Sequence, residues 1–284
     1  YRKRFITSFH GTYGHHNKIK RWYNAIMLRS EKTIAVSNFI AQHIESIYPD
    51  KSKSIHTIPR GIDTNKYDPH QVSKNVIKAL RKTWSIPANH TVIMLPGRIT
   101  RWKGHSVLIE AIASLKMDKY VCLFVGDDTG KPEYRKQLDS AVKHHKLEKK
   151  IRFVGACQNM ETAYSLADIV VSASTVPEAF GRVACEAQAM NCLVIATNHG
   201  GSQETIAPPQ KQFLCEPNDI KSLINALNAA LSVNLTDKEE IFDLSREYIA
   251  KHFSLEKMCE ETLTLYTSMN ENALKSEAAS NARH

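Results

Sequence analysis

The chain has 284 residues, of which 42% are hydrophobic and 24% are charged, and its formal net charge is +9. This length and composition predict a globular chain with a full hydrophobic core, and they exclude disordered and fibrous proteins. The sequence has no run of about 18 apolar residues, so it predicts no membrane-spanning helix.

The N-terminal segment YRKRFITSFHGTYG lacks the apolar core of a signal peptide. Because residue 1 is Tyr rather than Met, we expect the chain to be a fragment or a processed product. Basic residues are concentrated near this end, beside Trp22 and Tyr23, which indicates peripheral contact with an anionic membrane surface. These basic residues are Arg2, Lys3, Arg4, Lys18, Lys20 and Arg21. Solubility alone is the alternative explanation for the positive charge.

Residues 1–68 predict an incomplete Rossmann-like domain that ends in a linker. RFITSF and KTIAVS predict strands, SIHTIPRGID predicts a third, and helices are predicted near 17–29 and 37–47. These elements amount to about two and a half β-α units, fewer than a complete domain of this kind contains. The segment GIDTNKYDPHQ (61–71) is the predicted linker.

Residues 69–250 predict a second, complete α/β domain. Unbroken apolar runs alternate with helical segments, which is typical of a parallel sheet covered on both faces. The runs are HTVIMLPG, YVCLFVGD, IRFVGA, DIVVSAS and CLVIAT, and the helices are predicted at 105–115, 132–145 and near 160–166. From about residue 237 the chain is helical, and 271–284 form a polar tail that we expect to be disordered.

The six cysteines lie far apart without a C-x-x-C pair, and several fall in apolar runs. This favours buried, reduced thiols over disulfides or metal ligands, as in a cytoplasmic protein.

The loop PGRITRWKGH follows the first apolar run of the second domain and precedes a helix. Arg98 and Lys103, together with free backbone N–H groups at the helix start, are suited to a diphosphate. Two solvated surface cations are the alternative.

The stretch PEAFGRVACEAQAM predicts a helix that carries one acid just before its first turn and a second acid among apolar neighbours. Glu178 is suited to a sugar, and Glu186 to the two hydroxyls of a ribose. Gly181 would let a ligand approach the backbone. The alternatives are stabilisation of the helix dipole by Glu178 and an ion pair between Glu186 and a nearby Arg or Lys.

With these motifs in order, the chain resembles the retaining GT-B glycosyltransferases of the family-4 type (glycosyl transferases group 1). The resemblance covers roughly residues 4–265. Its motifs are E-x7-E (Glu178, Glu186), G-R-x4-K-G (97–104), VGDD (125–128), FVGA (153–156), HGG (199–201), IAVS (34–37) and IPRGID (58–63). It implies an α/β, GT-B fold of two Rossmann-like, doubly wound domains, the N-terminal one incomplete. C-terminal helices, including residues 251–270, would cross back onto the N-terminal domain.

The resemblance also implies roles for single residues. Arg98 and Lys103 would bind the donor diphosphate and stabilise the leaving nucleotide diphosphate, so that neither a metal nor a cofactor is required. Glu178 would hold hydroxyls of the donor sugar, which His10 would face from the N-terminal domain. Glu186 would hold the ribose, and residues 154–157 would lie against the base. The remaining donor contacts are expected at Gly97, Val154, Gly155, Phe180, Gly181 and Val183.

The implied function is transfer of a hexose-type sugar from a nucleotide-diphosphate sugar to a glycan or lipid-linked acceptor, with retention of configuration by front-face attack. The implied setting is synthesis of lipopolysaccharide or another surface glycan, in the cytoplasm at the inner face of the membrane. Family members normally carry a further stretch before the position of Tyr1. A non-catalytic nucleotide-sugar-binding remnant is therefore an alternative, as is a GT-B epimerase or phosphorylase. Nucleic-acid binding is disfavoured because no element carries a basic stripe with stacking aromatics.

Overall fold

The structure is a computed structural model that describes residues 5–14 and 17–281. In this part of the chain, two separate parallel sheets form. The strands are β1 (Ile6–Phe9), β2 (Lys32–Ala35), β3 (Ile55–Thr57), β4 (Thr91–Pro96), β5 (Tyr120–Val125), β6 (Ile151–Gly155), β7 (Ile169–Ser172), β8 (Leu193–Thr197) and β9 (Leu214–Cys215). The α-helices are α1 (Lys18–Asn24), α2 (Asn38–Ile47), α3 (Lys74–Thr83), α4 (His105–Ala113), α5 (Pro132–His144), α6 (Met160–Tyr164), α7 (Arg182–Ala189), α8 (Ser202–Thr205), α9 (Ile220–Ser232), α10 (Leu235–Phe253) and α11 (Leu255–Asn281).

The larger sheet has the strand order β6-β5-β4-β7-β8-β9. Its strands are unbroken apolar runs because both faces are buried. Ile93 and Leu95 pack into the cluster on one face, together with Leu227 of α9, whereas Val92 and Met94 pack into the cluster on the other. The predicted doubly wound α/β architecture is confirmed, and the strand order reverses direction between β4 and β7.

The smaller sheet has the order β1-β2-β3, and helices cover its two faces to different extents. One face packs on α2, with Ile40 and Ile44 fully buried. The other face presents Ile34 and Ile58 to Leu265 of α11. The C-terminal helix therefore does cross back onto the N-terminal sheet.

The chain passes between the two sheets twice, and the two crossings are hydrogen-bonded to each other. The N–H of Ile62 donates to the carbonyl of Phe253, and the N–H of Leu255 donates to the carbonyl of Ile62, both at 2.9 Å. We call residues 63–253 the six-stranded half, and residues 5–14 and 17–61 with 255–281 the three-stranded half.

The structure corrects the prediction of a disordered C-terminal tail. α11 continues to Asn281, so residues 271–281 are helical. The segment is rich in Ala, Glu, Leu and Lys, which are strong helix formers, and this propensity outweighs its polarity. Residues 282–284 of the predicted tail lie outside the described residues.

All six cysteines are free. Cys122, Cys185 and Cys192 are completely buried, and burial raises the pKa of each thiol well above its usual value. These three thiols are apolar core residues at neutral pH.

Candidate functional site

The predicted site lies where β4 and β7 are neighbours, at the reversal of strand order. The loops that follow these strands leave the same edge of the sheet and touch each other. A Cβ at Gly104 would lie 1.9 Å from the carbonyl oxygen of Ala173. The N–H of Thr175 donates to the carbonyl of Trp102 at 2.7 Å. Ligands of open parallel sheets bind at this kind of edge.

Lys103 and Glu178 form an ion pair at this edge, although they are 75 residues apart in sequence. Lys103 Nζ lies 2.7 Å from Glu178 Oε1, and the two side chains are only 14% and 11% exposed. The hydroxyl of Ser174 donates to the same carboxylate oxygen. Lys103 Nζ also lies 4.3 Å from the centroid of the Trp102 ring, within cation–π range. The pair is thus a largely buried cation and acid whose positions are fixed by their contacts.

Glu178 lies in the loop that precedes α7, and two glycines fix this loop against α8. Gly181, at φ +101°, immediately precedes α7, and a Cβ there would lie 2.9 Å from the Cα of Ser202. The N–H of Gly201 donates to the carbonyl of Glu178 at 2.7 Å. Packing on α8 therefore requires glycine at position 181, whether or not a ligand also approaches it.

Glu186 lies on α7 and is 6% exposed. Its carboxylate accepts from Arg182 Nε at 2.7 Å and from the hydroxyl of Tyr164 at 3.0 Å. Burial, and then the nearby Glu186 carboxylate, raise the pKa of Tyr67 to about 12. The ion pair that was the alternative to ribose binding is present, and a ribose would have to share the carboxylate with Arg182, whose side chain is 59% exposed.

The remaining predicted donor contacts line the same edge or support it. Arg98 is exposed and close to Asp127, whose pKa is lowered by hydrogen bonds from Thr129 and, more weakly, by Arg98. Gly155 ends β6 at φ +76°, and a Cβ there would meet open space. Three of the predicted contacts support this edge. Gly97 lies against the side-chain carbons of Lys103, and Val154 and Val183 are half-buried against the core.

Phe180 contributes only backbone to this edge. Its ring is buried and packs at 5.6 Å on Phe253 of α10. Phe180 stays a predicted donor contact, and only its main chain is placed where it could meet a donor.

His10 directly follows β1, at the edge of the smaller sheet that faces the larger one. Desolvation, and then the Arg60 guanidinium, lower the pKa of His10 below its usual value. At the end of the neighbouring strand β2, the hydroxyl of Ser37 donates to the carbonyl of Ala179 at 2.6 Å. The carboxyl ends of β1 and β2 therefore lie beside the loop that carries Glu178.

The side chains that surround the two acids were not predicted from the sequence. Ser174 could have been found, because it is the last residue of a predicted strand and comes four residues before Glu178. Tyr164 and Tyr67 gave no signal, since a helical position and a linker position carry no indication of their distant partner. Trp102 lies within the motif but was not assigned a role.

A cavity of about 840 Å³ lies away from this edge, between β3 and helices α10 and α11. Its lining mixes acids and bases, among them Lys257 and Glu260, so it favours no single class of ligand. Across residues 5–14 and 17–281, no group of three or more His, Cys, Asp or Glu side chains could hold a metal ion. Nor does this described part of the chain include a helix long and apolar enough to cross a membrane.

Comparison with known proteins identifies the family. The model of glycosyl transferases group 1 matches residues 76–243, and that of glycosyltransferase family 4 matches residues 1–66. The crystal structure of a glycosyltransferase from Rickettsia africae ESF-5 has 36% identity and a TM-score of 0.88, over 94% of this chain and 71% of that chain.

Two further proteins show how far the likeness extends. The lipopolysaccharide 1,2-N-acetylglucosaminetransferase of Salmonella typhimurium is 29% identical over 81% of this chain, which spans only 60% of that relative's length. Anabaena Alr3699/HepE, in complex with UDP-glucose, is 23% identical with a TM-score of 0.85, over 94% of this chain and 73% of that chain, and shows the fold. The family models and the Rickettsia relative together show that the chain belongs to the glycosyl transferases group 1, with the GT-B fold.

Proposed function

We propose that the chain carries the donor site of a glycosyltransferase that moves a hexose-type sugar from a nucleotide-diphosphate sugar to a glycan or lipid-linked acceptor. The observation that carries this proposal is the Lys103–Glu178 pair at the reversal of strand order. It puts a cation suited to a diphosphate and an acid suited to sugar hydroxyls side by side, at the edge where such sheets bind ligands. The UDP-glucose complex of the Anabaena structure supports the class of donor.

In this proposal the ion pair opens when the donor binds. The diphosphate replaces the carboxylate at Lys103 Nζ, with Arg98 as a second cation. The carboxylate of Glu178, still held by Ser174, then accepts hydrogen bonds from the donor sugar. Lys103 exchanges its hydrogen bond to Glu178 for one to the diphosphate, and Glu178 exchanges its bond to Lys103 for bonds to sugar hydroxyls. Neither of these largely buried charges is therefore left without a partner.

Lys103 and Arg98 also act on the reaction itself. As the bond between the sugar and the diphosphate breaks, negative charge develops on the departing phosphate oxygen. Fixed cations at that position stabilise the developing charge, and we propose that they do so without a metal ion. We also propose retention of configuration, with the acceptor attacking the face that the diphosphate leaves. Identification of the product anomer by NMR would test this, and an inverted product would contradict it.

Two observations bear on the acceptor and its location. The Salmonella relative is named a lipopolysaccharide 1,2-N-acetylglucosaminetransferase, which supports a surface-glycan acceptor. We propose that the chain meets this acceptor at the cytoplasmic face of a membrane. Helix α1 exposes Ile19, Trp22 and Tyr23 by 73%, 63% and 67% among basic residues, an arrangement suited to an anionic membrane surface. The basic residues of α1 are Lys18, Lys20 and Arg21, whereas Arg2, Lys3 and Arg4 lie outside the described residues. Sedimentation with anionic vesicles should fall for Trp22→Ala, and equal binding to neutral vesicles would contradict the membrane contact.

Calorimetric titration with UDP-, GDP- and ADP-sugars tests the donor site. One nucleotide should bind, and Lys103→Met should weaken its affinity about ten- to hundred-fold, because a charge-assisted bond of about 1.5–3 kcal/mol is lost. Glu186→Ala should weaken binding to a similar degree if Glu186 holds the ribose. Lys143→Ala, which changes an exposed lysine on α5, is the matched control and should bind as the wild type does. Absence of binding by the wild-type chain would overturn the proposal.

The second candidate is a nucleotide-sugar-binding chain without transferase activity. The observation behind it is that Lys103 and Glu178 both lie in the six-stranded half, so the proposed donor contacts of this pair need no group from the other half. Transfer of radiolabelled sugar to a lipid-linked acceptor separates the two candidates. Donor binding without any transfer would favour the second, and measurable transfer lost in Lys103→Met would exclude it.

A further inference from the structure

The two halves touch at a second place besides the paired crossings. The start of α2, in the three-stranded half, lies against α8 and the Glu178 loop of the six-stranded half. We call this the α2–α8 contact. It consists of Ser37, Asn38 and Phe39 on one side and Ala179 and Glu204 on the other.

Glu204 bonds to the backbone of α2. Its Oε2 accepts from the N–H of Asn38 at 2.9 Å, and its Oε1 accepts from the N–H of Phe39 at 2.6 Å. The first N–H groups of a helix have no partner within the helix, and their partial positive charge favours a carboxylate. Ser37 already caps the N–H of Ile40 at 3.1 Å. The first turn of α2 is therefore capped jointly by its own Ser37 and by a carboxylate from the other half.

The same turn of α2 is bonded to the Glu178 loop. The hydroxyl of Ser37 donates to the carbonyl of Ala179, the residue next to Glu178. On the other side of this loop, Gly201 starts the segment that leads to Glu204, and its N–H bonds the carbonyl of Glu178. A Cβ at Gly201 would lie only 2.4 Å from the Ala179 carbonyl oxygen, so the loop and the start of α8 are in direct contact.

We propose that Glu204 is a positioning residue that fixes the Glu178 loop against the three-stranded half. It acts through α2 and Ser37: the carboxylate holds the first turn of α2 in place, and that turn holds Ala179. The arrangement of the halves and the position of the Glu178 carboxylate therefore depend on each other, and by linkage a donor that selects one position favours one arrangement. The inference rests on the proposed donor site, but the contact itself can be tested without a donor.

Hydrogen exchange of the whole chain, without ligand, tests the positioning. In Glu204→Gln, which removes the charge and one acceptor at nearly constant volume, exchange should become about tenfold faster at residues 38–39, the factor that corresponds to one net hydrogen bond. It should also become faster in residues 175–183. A carboxylate that served only to cap α2 would change the first segment and not the second, and that result would overturn the proposal. Gln203→Ala, an exposed neighbour on α8, is the control and should exchange as the wild type does.

Donor affinity provides the second measurement. For the nucleotide sugar that the wild type binds, Glu204→Gln and Ser37→Ala should each weaken affinity several-fold. The double variant should lose less than the product of the two factors, because both changes break one chain of contacts. Independent effects, or faster exchange at residues 175–183 with unchanged affinity, would contradict the proposal. If the wild type binds none of the sugars, the proposed function fails, and the exchange at 175–183 alone decides whether Glu204 positions the loop.

Discussion

The two sheets of this chain differ in how completely each is covered. The six-stranded sheet has a buried apolar cluster on each face. The three-stranded sheet has a much smaller cluster on the face that packs on α2, whereas its other face meets α11 at Ile34 and Ile58 and adjoins the cavity of about 840 Å³. The half that carries the Lys103–Glu178 pair is thus packed as a complete domain, and we expect its stability to depend little on the other half.

The largest expected effect comes from a substitution where the loops that follow β4 and β7 touch, in the six-stranded half. Gly104→Ala would place a Cβ 1.9 Å from the Ala173 carbonyl, at φ +75°. Displacing one loop from the other should cost about 4 kcal/mol or more in the free energy of unfolding. Gly130→Ala is a matched control, because Gly130 has φ +76° but open space around it. It should cost only the left-handed strain of about 1–2 kcal/mol. Urea titrations of both variants measure the loss in the free energy of unfolding. Equal losses would show that the contact between the two loops does not stabilise the fold.

A pair of leucines compares the cores of the two halves directly. Leu227 on α9 is fully buried in the six-stranded half, whereas Leu265 on α11, in the three-stranded half, lines the cavity between β3, α10 and α11. Leu227→Ala should cost about 3–5 kcal/mol, because it leaves a void in a closed core. Leu265→Ala should cost about 1–2 kcal/mol, because its surroundings are already open. The comparison would be wrong if denaturation midpoints showed Leu265→Ala to be the more damaging change.

The pH dependence of stability tests how tightly the six-stranded half is packed, because a buried histidine lies within it. His105, at the start of α4, is completely buried, and burial lowers its pKa to about 4. Below its unfolded pKa of about 6.5 the unfolded chain binds a proton that the folded chain does not. Stability is therefore complete above about pH 6.5 and falls by about 3 kcal/mol as the pH approaches 4.

His105→Phe keeps a ring beside Phe124, which His105 contacts edge-on at 5.1 Å, and removes the titrating group. Urea unfolding at pH 7 and at pH 4.5 should show a smaller loss of stability for this variant than for the wild type. The same pH slope in both proteins would assign the effect to other titratable groups.

The smallest expected effect concerns the surroundings of Glu186. Tyr164→Phe removes a hydroxyl that donates to this buried carboxylate and should cost about 1–3 kcal/mol. Tyr134→Phe is the control, because the Tyr134 hydroxyl is buried without a hydrogen-bond partner, so its loss should be neutral or slightly stabilising. Thermal unfolding of the two variants is the measurement. A neutral Tyr164→Phe would show that Arg182 and Tyr67 hold Glu186 without Tyr164.

Much of the larger sheet could be predicted, because parallel strands that are buried on both faces appear in the sequence as continuous apolar runs. β4, β5 and β8 are of this kind. The two-residue strand β9 is too short to show any pattern, and α3 was missed although Val76, Ile77 and Leu80 have helical spacing. The error at residues 271–281 arose because polarity was given more weight than the helix propensity of Ala, Glu and Lys.

The candidate site could be predicted only where local motifs meet a topological rule. Lys103 and Glu178 each follow an apolar run, and parallel strands bring such loops to one edge. The partners of Glu186 depend on how the linker passes Tyr67, and the α2–α8 contact depends on the orientation of one sheet to the other. Neither of these leaves a periodic trace in the sequence.

The paired crossings at Ile62 and Ser254 have a consequence for the architecture of the gene. The six-stranded half is one uninterrupted stretch of chain whose two ends lie side by side, because the N–H of Ile62 is bonded to the carbonyl of Phe253. A stretch with adjacent ends can be inserted into another protein, or exchanged for a homologous one, without stretching its host. The three-stranded half, by contrast, is assembled from two separate pieces of sequence. Recombination could therefore replace the six-stranded half as a unit while leaving the β1-β2-β3 sheet and α11 together.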